Sequence, residues 1–285
     1  MKAKSHARSN SLPSESHPVV ADLEDKLRLL RALEATSSSV SSLCKNLAAL
    51  EEMYECADNL LQLQATQKAF SNERLHDKFV DDMLDGSLKL LDTCSSSKDA
   101  LSQIKGCVRD LESSLRRKIR CKSSLVNEIR DYFISRKQVN KFVCNCFGNM
   151  KRMQKSNATL VESDDDLAAM ANMLNEVEAV SLTVFKSLLS FLYSPKSKSA
   201  GWSLVSKLVQ SKPVYKEDNI DNGLEALIIK TKSGKKESID MTQVQTTLKN
   251  LKAFESAIQE LEEGLECGFR CLIKTRMSLL NLLNH

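Results

Sequence analysis

The chain has 285 residues, with 8 Gly, 4 Pro, 1 Trp and 4 Tyr against 42% hydrophobic and 27% charged residues, and a formal net charge of +4. Gly and Pro are the residues that turn corners, so a sandwich or barrel of many short strands, which needs far more of them, is excluded. Collagen, low-complexity disorder and disulfide miniproteins fail on composition too, which leaves a soluble, all-α chain long enough for a large core.

Residues 1 to 19 are Ser-rich, hold Pro13 and Pro18 and lack apolar periodicity, which predicts a disordered tail. From Val20 the spacing is helical: Val20, Leu23, Leu27 and Leu30 share a face, with Asp22, Glu24 and Asp25 near the helix start. Thr36-Ser37-Ser38-Ser39 then offers a break and a fresh cap. Val40, Leu43, Leu47, Leu50, Tyr54, Ala57 and Leu61 alternate three and four apart, a coiled-coil-like seam for a partner helix. A third helix places Phe79, Met83, Leu84, Leu88, Leu91 and Cys94 on one face and is expected to end at Ser95-Ser96-Ser97. Asp99 then caps a fourth, carrying Leu101, Ile104, Val108, Leu111, Leu115 and Ile119.

A fifth helix runs through Leu125, Ile129, Tyr132, Phe133, Phe142, Val143 and Met150, and the spacing lapses between residues 151 and 163. Ser163-Asp164-Asp165-Asp166 opens the next, where acids oppose the partial positive charge of a first turn, so these aspartates are read as capping rather than catalytic. That helix carries Leu167, Met170, Leu174, Val177, Ser181, Val184, Leu188 and Phe191, and Pro195 stops it. After a short piece around Trp202, Leu204, Val205 and Leu208, residues 211–237 read as a loop despite Leu227-Ile228-Ile229. The last helix uses Val244, Leu248, Leu251, Ile258, Leu261, Leu265, Leu272, Leu279 and Leu282. About seven amphipathic helices, joined mostly by Ser-rich turns, predict a single elongated bundle over residues 20–285.

Catalytic constellations are not apparent. His6 and His17 lie in the tail, His285 is the last residue, and His76 sits between Glu73 and Asp77, where it points to water more readily than to a dyad. Gly234-Lys235 resembles the end of a phosphate loop, but Ile229 stands where its first glycine belongs. Nine cysteines, including Cys144/Cys146 and Cys267/Cys271, have no histidine placed to complete a zinc site and no secretory leader before them. They are expected to be reduced, buried thiols of a cytosolic or nuclear protein. No cofactor and no small-molecule substrate is expected, and no run of apolar residues is long enough to span a membrane.

Two features stand out. Arg8-Ser9-Asn10-Ser11-Leu12-Pro13 fits the Arg-Ser-x-phosphoSer-x-Pro pattern that 14-3-3 proteins read. Phosphorylation would give Ser11 three acceptor oxygens for an arginine cluster, with Arg8, Ser9 and Pro13 completing the pattern. The second feature is hidden by the overall charge: residues 45–99 hold 6 basic and 11 acidic side chains, residues 101–155 hold 14 and 4, and residues 158–192 hold 1 and 6. The basic centre includes Arg116, Arg117, Lys118, Arg120 and Lys122. Nucleic acid is disfavoured, because no aromatics interleave these cations. A nuclear import signal or an anionic lipid contact is the alternative to the favoured expectation, that the segment packs between the two acidic ones and the charges are internal complements.

Arg8 to Pro13 with His17-Pro18, Glu34-Ala35-Thr36-Ser37-Ser38-Ser39, Asp85-Gly86-Ser87-Leu88-Lys89-Leu90-Leu91-Asp92, and Val177-Glu178-Ala179-Val180 leading to Leu188-Leu189-Ser190-Phe191 together resemble the plant-specific BYPASS-like family. The resemblance runs over nearly the whole chain. It implies a plant protein with an all-helical fold, no enzymatic activity and a part in root and shoot development. Relatives often carry a proline near Gln64; Leu61 to Gln67 has none, so the helix is expected to continue there. The combined expectation is a non-enzymatic regulatory or adaptor protein working through protein contacts, with a peripheral membrane component, bound through the basic segment, as the alternative.

Overall fold

In a computed structural model of the chain, the described residues are 17–34, 39–71, 76–121, 126–156, 166–193, 224 and 241–283. Seven helices account for almost all of them: α1 (Pro18–Glu34), α2 (Val40–Gln62), α3 (Gln64–Ser71), α4 (His76–Cys121), α5 (Val126–Ser156), α6 (Asp166–Leu192) and α7 (Met241–Leu283). Among the described residues there is no strand. The expected loop over 211–237, the Trp202 piece, the Arg8–Pro13 motif and Lys122 lie outside them, Leu224 excepted.

Among the described residues the number of helices matches the expectation, but two boundaries differ. The serines at 95–97 do not end a helix: α4 runs through them for 46 residues, roughly 70 Å. Its buried hydroxyls are satisfied along the helix itself. Ser97 donates to the Thr93 carbonyl and Thr93 to that of Lys89, each at 2.8 Å, while Cys94, Ala100 and Leu101 keep an unbroken buried stripe. Asp99 is thus an exposed mid-helix residue, not a cap.

The converse correction falls at Leu63. Without a proline, α2 nevertheless ends there: Leu63 is extended (φ −65°, ψ 137°) and α3 starts at once. The Leu60 carbonyl left over by the break accepts from the Leu63 N–H at 3.3 Å and from the buried Thr66 hydroxyl at 2.7 Å, so a threonine side chain completes the corner.

Smaller shifts have local causes. Helix α1 starts at Pro18, inside the expected tail, because proline suits a first helical position and the His17 carbonyl and ring accept the N–H groups of Val19, Val20 and Ala21. Helix α5 continues past residue 150 to Ser156 because Met150 and Met153 are buried. Ser39 caps α2 as expected, its hydroxyl accepting from Ser42 N at 3.1 Å.

Helices α4 and α7 form the long axis. Their ion pairs descend in register, Lys98 with Glu266, Lys105 with Glu262 and Arg109 with Glu255, so the two run antiparallel. Helix α2 lies parallel to α7. Leu47 packs over Gly264, where a Cβ would meet the Leu47 Cβ at 3.2 Å, and farther along Lys274 reaches Asp58 at 2.9 Å. Helix α6 sits in the centre, touching α1, α2, α3, α4 and α5. One seam was expected of α6, yet Val180, Leu182, Phe185, Leu189 and Leu192 are buried as well, as a mostly apolar helix packed among five others requires. Helix α5 packs chiefly on α4, then α6, and is the outer layer.

Candidate functional site: an exposed basic face on α5

Residues 101–155 supply the end of α4 and most of α5, and the structure treats the two parts differently. On α4 the cations are matched. Lys98, Lys105 and Arg109 reach α7 carboxylates, and the Lys105–Glu262 pair is largely sheltered, with side chains 14% and 22% exposed. Hydrogen bonding from Lys98 holds the Glu266 carboxyl below its ordinary range. The complements were expected from the acidic segments at 45–99 and 158–192. Among the described residues they come from α7 instead, because α7 lies against α4 along much of its length.

On α5 the exposed cations are unmatched among the described residues. Arg130, Lys137, Lys141, Lys151 and Arg152 are exposed, and none makes an ion pair with a described residue. Their spacing follows from the buried side of the helix: Ile129, Tyr132, Arg136, Val139, Val143, Cys146, Phe147, Met150 and Met153 turn inward, which leaves positions 130, 134, 137, 141 and 152 outward. The face extends roughly 33 Å from Arg130 to Arg152 at 1.5 Å per residue. Ile134, 51% exposed, sits between Arg130 and Lys137. Asp131 is the one exposed acid among the described residues of α5.

Arg136 is the exception within this run of cations. It is 4% exposed and its Nη2 donates to the Leu192 carbonyl at 3.4 Å, where a cation opposes the negative end of α6. Next to it, Tyr193 and Cys144 hydrogen-bond between the α6 end and α5, and burial pushes the Tyr193 hydroxyl up to about 12.

The expected patch is only partly placed. Arg116 pairs with Glu112 one turn back, and Arg117 donates to Ser114 Oγ at 3.0 Å, so both exposed guanidinium groups are engaged on their own helix. Lys118 and Arg120 belong to the last turn of α4, with side chains outside the described residues. Arg8, Ser9, Ser11, Pro13 and Lys122 lie outside them altogether. Reading residues 116–122 as a contiguous run missed the α5 face, whose signal was the recurrence of cations at 130, 137, 141 and 152 on one side of a helix.

Two segments that carried the resemblance meet inside the bundle. Glu178 of α6, 4% exposed, lies against Gly86 of α4, and a Cβ at 86 would fall within the carboxylate. One turn on, Ser181 bonds the Tyr54 hydroxyl at 2.7 Å and donates to the Val177 carbonyl at 2.6 Å. Burial drives the Tyr54 hydroxyl well above its ordinary value, so Tyr54 stays neutral and acts as a polar tie between α2 and α6. Burial likewise pushes the thiols of Cys44, Cys94, Cys144 and Cys146 up, Cys94 to about 12, which makes these four poor nucleophiles. Among the described residues no three of His, Cys, Asp and Glu converge as metal ligands, and no helix is long and apolar enough to cross a membrane.

A family model described as Protein BPS1 matches residues 46–282, which takes in α5 and all but the start of the bundle. Neither a curated protein nor a solved structure matches the chain.

Proposed function

The chain belongs to the BPS1 family, and on that premise we propose that it is a non-enzymatic regulatory or adaptor protein of plant root and shoot development, acting in the cytosol or nucleus through protein contacts. The observation that supports this is the α5 face, where Ile134 stands exposed among Arg130, Lys137 and Lys141, none of which pairs with a described residue. An apolar anchor ringed by cations suits an amphipathic, acidic partner surface: the side chain fills a pocket, while the charges speed encounter and set orientation. In full-length protein used as bait in root extract, Ile134→Ser and Lys137→Glu should each lose the same acidic partner while helix content stays unchanged. Recovery that neither variant alters rules the face out.

The tail adds a regulated contact: phosphorylated Ser11, with Arg8 ahead of it and Pro13 behind, docks a 14-3-3 protein. Capture of 14-3-3 that survives Ser11→Ala contradicts this. A second reading, peripheral attachment to anionic membrane, is favoured by the extension of the unpaired cations to Lys151 and Arg152, beyond the reach of the Ile134 anchor. Flotation with phosphatidylserine vesicles separates the readings. Charge-driven lipid binding falls with salt and with each lysine removed, but is indifferent to Ile134→Ser.

A further inference from the structure

An open cleft of about 390 Å³ lies between α4 and α5, in the size range of small-ligand sites. From α5 it receives the Arg152 guanidinium and the Asn149 amide, both exposed; from α4, the Lys89 ammonium and the Asp92 carboxylate. Lys89 bonds Asp85 at 2.9 Å, which leaves two of its three N–H donors for other acceptors. Arg152 has no ion pair among the described residues, so its planar fork is uncommitted.

The floor is buried and tied in place. Thr93 Oγ1 donates to the Lys89 carbonyl at 2.8 Å and touches Met153 Sδ at 3.7 Å, while Ser96 hydrogen-bonds Cys146 across the two helices.

These groups select a ligand by its chemistry. A guanidinium beside an ammonium matches a phosphate, to which arginine donates in parallel pairs. Asp92 works against a bare inorganic anion in the same cleft, but a carboxylate next to an amide is well suited to accept from ligand hydroxyls. The Met153 and Cys146 floor offers an apolar bed for C–H groups. We propose that the cleft binds a phosphorylated polyol, a phosphate-bearing sugar or inositol, either free or as the headgroup of a lipid. Arg152, at the far end of the basic face, stands roughly 27 Å along α5 from the Ile134 anchor, so the cleft and the protein contact around Ile134 can each fail alone.

Titration calorimetry of the full chain with inositol trisphosphate tests the site. The expected result is saturable one-site binding, weakened about tenfold by Arg152→Gln, unchanged by Lys137→Gln, and about tenfold tighter than binding of inorganic phosphate. Vesicles of phosphatidylcholine carrying a phosphoinositide, compared with vesicles of equal charge carrying phosphatidylserine, identify the source. Preference for the phosphoinositide assigns a lipid headgroup, and binding of the soluble compound without vesicle binding assigns a free polyol phosphate. Absence of saturable binding, equal loss from Arg152→Gln and Lys137→Gln, or inorganic phosphate binding as tightly as the inositol compound overturns the proposal. Arg152 is exposed, so its replacement leaves the bundle folded, and an unchanged circular dichroism spectrum verifies this.

Discussion

Helices α4 and α5 are neighbours that share a basic stretch of sequence, yet they use their charge in opposite ways. The outward cations of α4 lie beside α7 and meet Glu255, Glu262 and Glu266, so they help hold two long helices in register. Those of α5 stand on an outer helix, where none of the exposed ones makes an ion pair with a described carboxylate. A local excess of charge therefore does not mark a binding surface by itself. What matters is whether a neighbouring helix answers it.

The largest expected effects lie inside α4. Leu101 is fully buried, and Leu101→Ala should cost about 3 kcal/mol of unfolding free energy in a urea titration, while Ile134→Ser on α5 stays within about 0.5 kcal/mol. Similar costs for the two would mean that α5 is not an outer layer. Alkaline pH sharpens the contrast next, because the groups raised furthest, Cys94 and Tyr54, sit on α4 and α2 rather than on α5. A folded value above the unfolded one gives stability that is complete below the unfolded value and is lost as pH rises. For Cys94 the window opens near pH ~8.5 and closes at about 12. Within it unfolding free energy should fall by about 1.4 kcal/mol per pH unit on account of Cys94, with Tyr54 adding to the slope only above about pH 10, and Cys94→Ala should flatten it. A slope unchanged by Cys94→Ala contradicts the burial of that thiol. Smaller still is Lys105→Glu, which sets like charges against Glu262 in a partly sheltered site. It should cost about 1–2 kcal/mol, with Glu262→Lys in the same chain restoring most of the loss.

Helix type and core were open to sequence reasoning because apolar spacing alone decides them. The seam from Val40 to Leu61 is buried at every position read from it, and the α7 stripe from Val244 to Leu282 is buried at all but the half-buried Leu248. Boundaries set by polar side chains were not open in this way. Serine caps a helix at Ser39 and rides within one at Ser97, and nothing local distinguishes the two cases; the continuous burial of Cys94 and Leu101 against neighbouring helices does. The Leu63 corner depended on Thr66 reaching a carbonyl six residues back. The candidate face was missed for a related reason. Counting charge along residues 101–155 cannot show that Glu262 and Glu255 answer Lys105 and Arg109, since that requires the register of α4 against α7.

Charge reversal on the two helices, read as a shift in the urea midpoint, tests the central claim most directly. Lys98→Glu with Lys105→Glu on α4 should lower the midpoint clearly. Lys137→Glu with Lys141→Glu on α5 should leave it unchanged or raise it slightly, because like charges are relieved and no partner is lost. Equal destabilisation by the two pairs would show that the α5 cations are committed within the bundle, and would contradict the assignment of that face to a partner.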